Sequence, residues 1–534
     1  MSRPNVLLIM TDEERAIPPY ERQAMDEFHA EHLSARRGLA ASGVELTRHY
    51  AGATACIPSR TTLFTGQYPS LHGVRSTDGL AKSAVDPAMH WLDPDGVPTL
   101  GDWFRAAGYQ THYRGKWHVS HADLEVPGTH ESVLTNTRDG SVLEDAVAAY
   151  RTADRLEPYG FSGWIGPEPH GSLPANTGMV RDGLFAEQVI DLFGDLAAQP
   201  ADSAPWLAVA SFVNPHDIGF SGMGWQVVGF DPVPDWVPAV PEAPSQSDSL
   251  DDRPDAQAAF RAVWPTMLYP QPADDDYRRL YHYLLAVVDQ TIGRILDALE
   301  ANGLADDTIV VFTSDHGDLL GAHGGLQQKW HNAYDEAIHV PFTATGPGLA
   351  PGLRLDLPSS HVDVVPTLLG LVGAEADDLV DEVARRHTEV HPLVGRDLSD
   401  VLRGATAPQE AEAPVYFMTE DRISKGLVDT GALSGARFDP VGPPDCVESV
   451  IARVDGSLWK LNRYYDPDGS VDTVQWELHD LDRDPEERTN RAGDPAAPRV
   501  AMEELLRAER RRKRLEPIER VTPASLRAAA GAAS

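Results

Sequence analysis

Cysteine is nearly missing from this chain of 534 residues. Only Cys56 and Cys446 occur, so no disulfide framework can be built and an extracellular, disulfide-stapled fold is not implied. Lysine is scarce too. Six lysines, at 82, 116, 329, 425, 460 and 513, stand among 45 basic residues against 81 acidic ones. The resulting formal charge of −36 works against nucleic acid, anionic membrane surfaces and polyanionic glycans by long-range repulsion. Long apolar runs are also lacking. The run ending at Met10 is too short for a secretory core and is followed at once by Asp12 and Glu13. No other run approaches a membrane span, and the expectation is a cytoplasmic protein.

What is present suits a large globular enzyme. A hydrophobic fraction of 42% supports extensive burial, the length fits one large domain plus a smaller one, and no internal repeat is evident. Residues 5–10 read as a strand buried on both faces that delivers Asp12 and Glu13 at its C-terminal end. Three further apolar runs end the same way: 109–114 leads to Lys116 and His118, 206–213 to His216 and Asp217, and 308–313 to Asp315 and His316. Helical spacing covers 99–107, 180–196 and 275–302, the last closed by Gly303 as C-cap. This alternation predicts an α/β fold with a mostly parallel sheet flanked by helices, its strand ends facing a ligand crevice.

Two long segments, 119–179 and 219–274, break the alternation and read as insertions or lid loops that complete a pocket, with Trp164, Trp225 and Trp236 as residues that could line it. A domain boundary is expected near residue 390. Residues 391–534 then form a smaller α+β subdomain and tail, with short strands at 415–419, 449–454, 458–461 and 476–480 in an antiparallel sheet. The tail from Val500, with the basic run 510–514, reads as a solvated helix.

The densest stretch is Cys56-Ile57-Pro58-Ser59-Arg60. Pro58 suits a first helical turn, so a helix starting at about Pro58 would leave Cys56 at its N-terminus, where the dipole and Arg60 favour an anionic group. A cysteine alone supports no more than a small buried hydrophobe. Together with Leu63-Phe64-Thr65-Gly66, Tyr68-Pro69 and His72-Gly73-Val74, however, this stretch resembles the signature of the type I sulfatases. The resemblance covers most of the chain. It implies an alkaline-phosphatase-like fold, with Cys56 oxidised to formylglycine by a formylglycine-generating enzyme and one hydroxyl of the hydrated aldehyde as the nucleophile.

The same resemblance assigns roles. Asp12, Glu13, Asp315, His316 and the position 56 oxygen would hold one divalent metal ion, Ca2+ or Mn2+. Lys116 and His118 match the family's Lys-x-His pair, and His216 and Lys329 its remaining histidine and lysine. Cations would hold the ester oxygens, Arg60 the diol, and His216 with Lys329 would protonate the leaving oxygen. His118 would assist collapse of the covalent intermediate, and Asp315 would accept the nucleophile's proton. His323, His331 and Asp217 are further pocket candidates without a firm motif.

Three departures shape the substrate reading. Glu13 stands where many members carry Asp, His316 where many arylsulfatases carry Asn, and no Glu-Gly-Gly follows Lys329. The expected substrate is a small sulfate ester, aryl or alkyl. A phosphonate monoester or phosphodiester is the alternative, and a silent binder of a sulfated ligand is a third reading. An oligomer remains compatible with the sequence.

Overall fold

The computed structural model describes residues 3–79, 82–169, 173–267, 271–423, 441–467 and 473–513. Its strands are, in chain order, β1 (Asn5–Asp12), β2 (Val44–Tyr50), β3 (Gln110–Gly115), β4 (Trp206–Pro215), β5 (Thr308–Ser314), β6 (His339–Val340), β7 (Phe342–Thr345), β8 (Leu353–Ser360), β9 (Val415–Thr419), β10 (Cys446–Val454), β11 (Ser457–Tyr465) and β12 (Gln475–Asp480). The first eight form one sheet of order β3-β4-β1-β5-β7-β2-β6, with β8 added on β2. Its β3-β4-β1-β5 half is entirely parallel, and β7 pairs antiparallel to both β5 and β2.

β1 is the centre of this sheet because its side chains are apolar on both faces. Val6, Leu8 and Met10 pack with the helices Cys56–Thr65, Leu100–Ala106 and Val364–Leu371, while Leu7 and Ile9 pack with Gly178–Ala197 and Asp275–Ala301 on the other side. All five are fully buried, each contributing about 1.5–3 kcal/mol of burial. The helix Leu100–Ala106 starts with a capping box between Thr99 and Asp102. The long helix ends at Ala301 with Asn302, not Gly303, as its C-cap, and Gly303, just beyond, takes the left-handed conformation.

Several expectations need correction. The signature helix begins at Cys56, not near Pro58; the proline sits within the first turn, where its missing N–H has no intrahelical acceptor to lose. The two insertions are not irregular throughout, since Glu144–Ala153, Met223–Val228 and Asp255–Met267 are helices. Each of the three tryptophans is anchored by its own contacts. Trp164 is fully buried and donates to Gly115 O at 2.8 Å, Trp225 donates to Asp231 O at 2.7 Å, and Trp236 stacks on His32.

β12-β11-β10-β9 form the second, antiparallel sheet. It braces the loop that leads to Cys56: Met418 N donates to Gly52 O at 3.2 Å, and Thr419 Oγ1 donates to Thr54 O at 2.7 Å. The helix Arg499–Arg512 is not simply solvated. Met502 and Leu506 pack against this sheet with Tyr68 and Val362, because its spacing presents an apolar stripe. Arg514 and the remainder of the tail lie outside the described residues. No helix among the described residues is long and apolar enough to cross a membrane.

A buried charge cluster also ties the small sheet to the helix Asp335–Ile338, which precedes β6. Lys460 on β11, fully buried, lies 2.7 Å from Asp335 and 2.8 Å from Glu487. Replacing Lys460 with Met leaves both carboxylates without this partner and is expected to destabilise the protein by about 3–5 kcal/mol. Thermal unfolding of Lys460→Met, compared with the Lys460→Met/Asp335→Asn/Glu487→Gln triple variant, checks this; the triple variant should recover part of the loss.

Candidate active site

The register of the parallel strands assembles the site. Thr11 lies opposite Ser314 across β1 and β5, so Asp12 and Glu13 emerge beside Asp315 and His316. Asp12 lies opposite Pro215 across β1 and β4, which puts His216 next to it, and Gly115 lies opposite Ser211 across β3 and β4, which brings Lys116 to the same edge. The helix Cys56–Thr65 then carries Cys56 in its first turn to these strand ends. Its Sγ is 3.1 Å from His316 Nε2 and 3.8 Å from Asp12 Oδ1.

Donor atoms of Asp12, Cys56, Asp315 and His316 all lie within 4.8 Å of one another. Two carboxylates, an imidazole and the position 56 side chain make a donor set that fits a divalent cation. His316 is oriented for this task. Its Nδ1 is 3.0 Å from Gly317 O, and a carbonyl can only accept, so Nδ1 carries the proton and Nε2 presents its lone pair to the cluster. A second set, Asp12, Glu13 and His216, meets the same distance limit.

Arg60 is the counter-ion of the two aspartates. Its guanidinium, fully buried, reaches Asp315 Oδ2 at 3.1 Å and Asp12 Oδ2 at 3.5 Å, and donates to Trp117 O at 2.9 Å, Lys116 O at 2.5 Å and Ser211 Oγ. These contacts tie the carboxylates to the end of β3. The resemblance directs Arg60 at the diol; in the structure its guanidinium is engaged by carboxylates and carbonyls.

The electrostatics follow from dense burial. Burial opposes the charge on Asp12, yet the neighbouring cations, Lys116 at 2.6 Å foremost and Arg60 beside it, hold its carboxyl well below the usual range. Burial and the neighbouring Asp12 push Asp315 up. Burial, then Asp12, pushes the Cys56 thiol up to about 12, so the unmodified thiol is a poor nucleophile near neutral pH. Burial and Lys116 keep His216 well below its ordinary value, which leaves its imidazole neutral.

Lys329 and His118 complete the site. Burial works against the Lys329 ammonium, but Glu13, 3.0 Å away, with Cys56 and Asp12 outweighs it and raises its pKa. His118 takes a left-handed backbone conformation, its N–H donating to Glu168 Oε1 at 2.7 Å and its Nε2 lying 2.9 Å from Asp78 Oδ1. Asp78 and Glu168 were missed by sequence reading, since an isolated acid in a loop resembles any turn residue. Asp217, His323 and His331 do other work. Asp217 accepts from Gly178 N and Met179 N at the start of a helix, His323 stacks on Tyr334 and lies 3.0 Å from Glu336, and His331 donates to Asp445 O.

Comparison with known proteins identifies the family. The family model described as Sulfatase matches residues 4–374. The chain is 26% identical over 381 residues to a choline-sulfatase of Rhizobium meliloti (strain 1021), covering 71% of this chain and 69% of that protein. It is 27% identical over 534 residues to an arylsulfatase of Volvox carteri, covering 94% of this chain and 74% of that protein. The crystal structure of a phosphonate monoester hydrolase of Agrobacterium radiobacter superposes with a TM-score of 0.60 at 24% identity, over 96% of both chains, and shares the alkaline-phosphatase-like fold. The family match runs through every strand end that contributes to the cluster, from Asp12 to Lys329, and the chain belongs to the sulfatase family, hydrolysing sulfuric esters.

Proposed function

We propose that the chain hydrolyses a small aryl or alkyl sulfate, with Cys56 matured to formylglycine by a formylglycine-generating enzyme and one divalent ion, Ca2+ or Mn2+, held by Asp12, Asp315, His316 and position 56. The observation that carries this reading is the convergence of those donors around a buried thiol unsuited to attack in its native form. The small substrate is argued from the charge of −36, which disfavours polyanions. When bound, the ion supplies Lewis acidity at the ester oxygen and lowers the pKa of the position 56 hydroxyl.

The protein's own groups divide the remaining work. Asp315, whose carboxyl is pushed up by burial and Asp12, accepts the proton of the attacking hydroxyl. Arg60 keeps the two aspartates in register while that proton moves. Lys116 and Lys329 neutralise the ester oxygens, and the Lys329 ammonium, helped by the neutral His216 as a hydrogen-bond donor, stabilises the leaving oxygen. His118, oriented by Asp78, serves as the base that frees the product.

A phosphonate monoester or phosphodiester is the second reading, favoured by His316 in the donor set and by the fold shared with the phosphonate monoester hydrolase. Catalytic efficiencies of matured, metal-loaded protein on an aryl sulfate, a phosphodiester and a phosphonate monoester separate the readings. The sulfate should be preferred; preference for either phosphorus ester transfers the assignment, and no turnover on any of them leaves the silent binder.

Peptide mass spectrometry after co-expression with the maturation enzyme should show the aldehyde in place of the Cys56 thiol. Full sulfatase activity from a chain that is entirely unmodified would refute the nucleophile assignment. Replacing His316 with Ala should lower metal content and turnover together, the latter by more than the roughly 10- to 100-fold usual for an outer-sphere change. His316→Asn should recover part of both, as elemental analysis beside kinetics will show; wild-type metal content in His316→Ala would exclude the imidazole as a ligand.

A further inference from the structure

Glu13 is built into the site in an unusual way. Its φ of 72° lies in the left-handed region, which a glutamate adopts only when its surroundings impose it. Two contacts impose it here: its N–H donates to Asp315 Oδ1 at 3.1 Å, and its carbonyl accepts from Tyr281 OH at 3.0 Å. The backbone of Glu13 is thus tied to the donor cluster, and of its carboxylate oxygens Oε1 is buried without a hydrogen-bond partner while Oε2 faces Lys329. Oε2 lies 3.0 Å from Lys329 Nζ, and both side chains are almost fully buried. Lys329 Nζ also donates to Gln328 Oε1 at 3.0 Å and lies 4.8 Å from the Trp330 ring centroid.

From this geometry we infer that Glu13 is a positioning residue for Lys329, not a metal ligand. The inference rests on the reading of Lys329 as the cation that stabilises the leaving oxygen. Glu13 falls outside the four-donor group of Asp12, Cys56, Asp315 and His316. The alternative group of Asp12, Glu13 and His216 already has an ammonium on each carboxylate, Lys116 at 2.6 Å from Asp12 and Lys329 at 3.0 Å from Glu13. A divalent cation there would face two like charges at close range. Lys329 has three N–H donors; Glu13 and Gln328 engage two of them and so aim the third. The chain length of glutamate matters as well. From the same braced backbone an aspartate carboxylate would stop about one carbon–carbon bond short of Lys329.

The test uses matured, metal-loaded protein carrying Glu13→Gln, Glu13→Asp, Lys329→Met and the Glu13→Gln/Lys329→Met pair. Metal per chain is measured by elemental analysis, and kcat/KM is measured over aryl sulfates of graded leaving-group pKa. Both Glu13 variants should keep the wild-type metal content. Glu13→Gln should lose about 10- to 100-fold on the poorest leaving groups and progressively less on better ones. In the Lys329→Met background it should cost little more, because the two residues act as one unit. Metal loss in Glu13→Gln, an equal loss for every leaving group, or an undiminished effect in the Lys329→Met background would each overturn the inference. If wild-type protein turns over phosphonate monoesters but no sulfate, only the substrate assignment fails, and the same series is then read on aryl phosphonates.

Discussion

Two aspartate carboxylates side by side in a water-poor crevice repel each other and lose their hydration, and the rest of the site depends on how that cost is met. Arg60 meets it. One planar guanidinium spans Asp12 and Asp315 and is fixed in turn by the carbonyls of Lys116 and Trp117, so a residue of the signature helix joins the ends of three strands. A lysine could not serve, because a point charge lacks the fork needed to hold several acceptors at set angles. Lys116 adds a second positive charge on Asp12. Within this framework one carboxyl is held ionised and its neighbour is pushed toward the proton, which is the asymmetry that acid–base work requires.

The signature helix itself is unusual in being buried along its whole length, including its hydroxyl groups. Thr61, Thr62 and Thr65 resolve this by donating back to the carbonyls of Ile57, Pro58 and Thr61, so no threonine hydroxyl is stranded. Ser59 donates to Asp315 O, fastening the helix to β5. From the other side, β9 of the small sheet holds the loop just before Cys56. The C-terminal strands therefore contribute to the site without supplying any of its donors.

The polar residues outside the motifs show how the protein steadies its chemistry. Asp78 and Glu168 fix His118 through its ring and its backbone, and each comes from a connecting segment. Asp217, which follows His216, caps a helix and thereby fixes the segment from which His216 projects. His323 and His331 look from their residue type like candidate ligands, yet one is stacked on a tyrosine beside a glutamate and the other donates to a carbonyl.

The amino-acid order by itself determined the parallel strands, the long helices between them, the antiparallel C-terminal strands and the residues at the strand ends. Those features follow from local periodicity: buried parallel strands must be continuously apolar, and a chain that leaves such a strand must turn polar at the crevice. The motif around Cys56 was legible for the same local reason. Tertiary structure alone decided that Arg60 braces carboxylates, that Glu13 reaches Lys329, and that Asp78 orients His118, pairs separated by 48, 255, 316 and 40 positions in the chain. Such contacts depend on strand register and helix docking, which bring distant residues within hydrogen-bond reach while leaving no periodic trace in the sequence. The helices hidden within the two insertions and the docked C-terminal helix belong to the same class, since short amphipathic segments are stabilised mainly by the surface they cover.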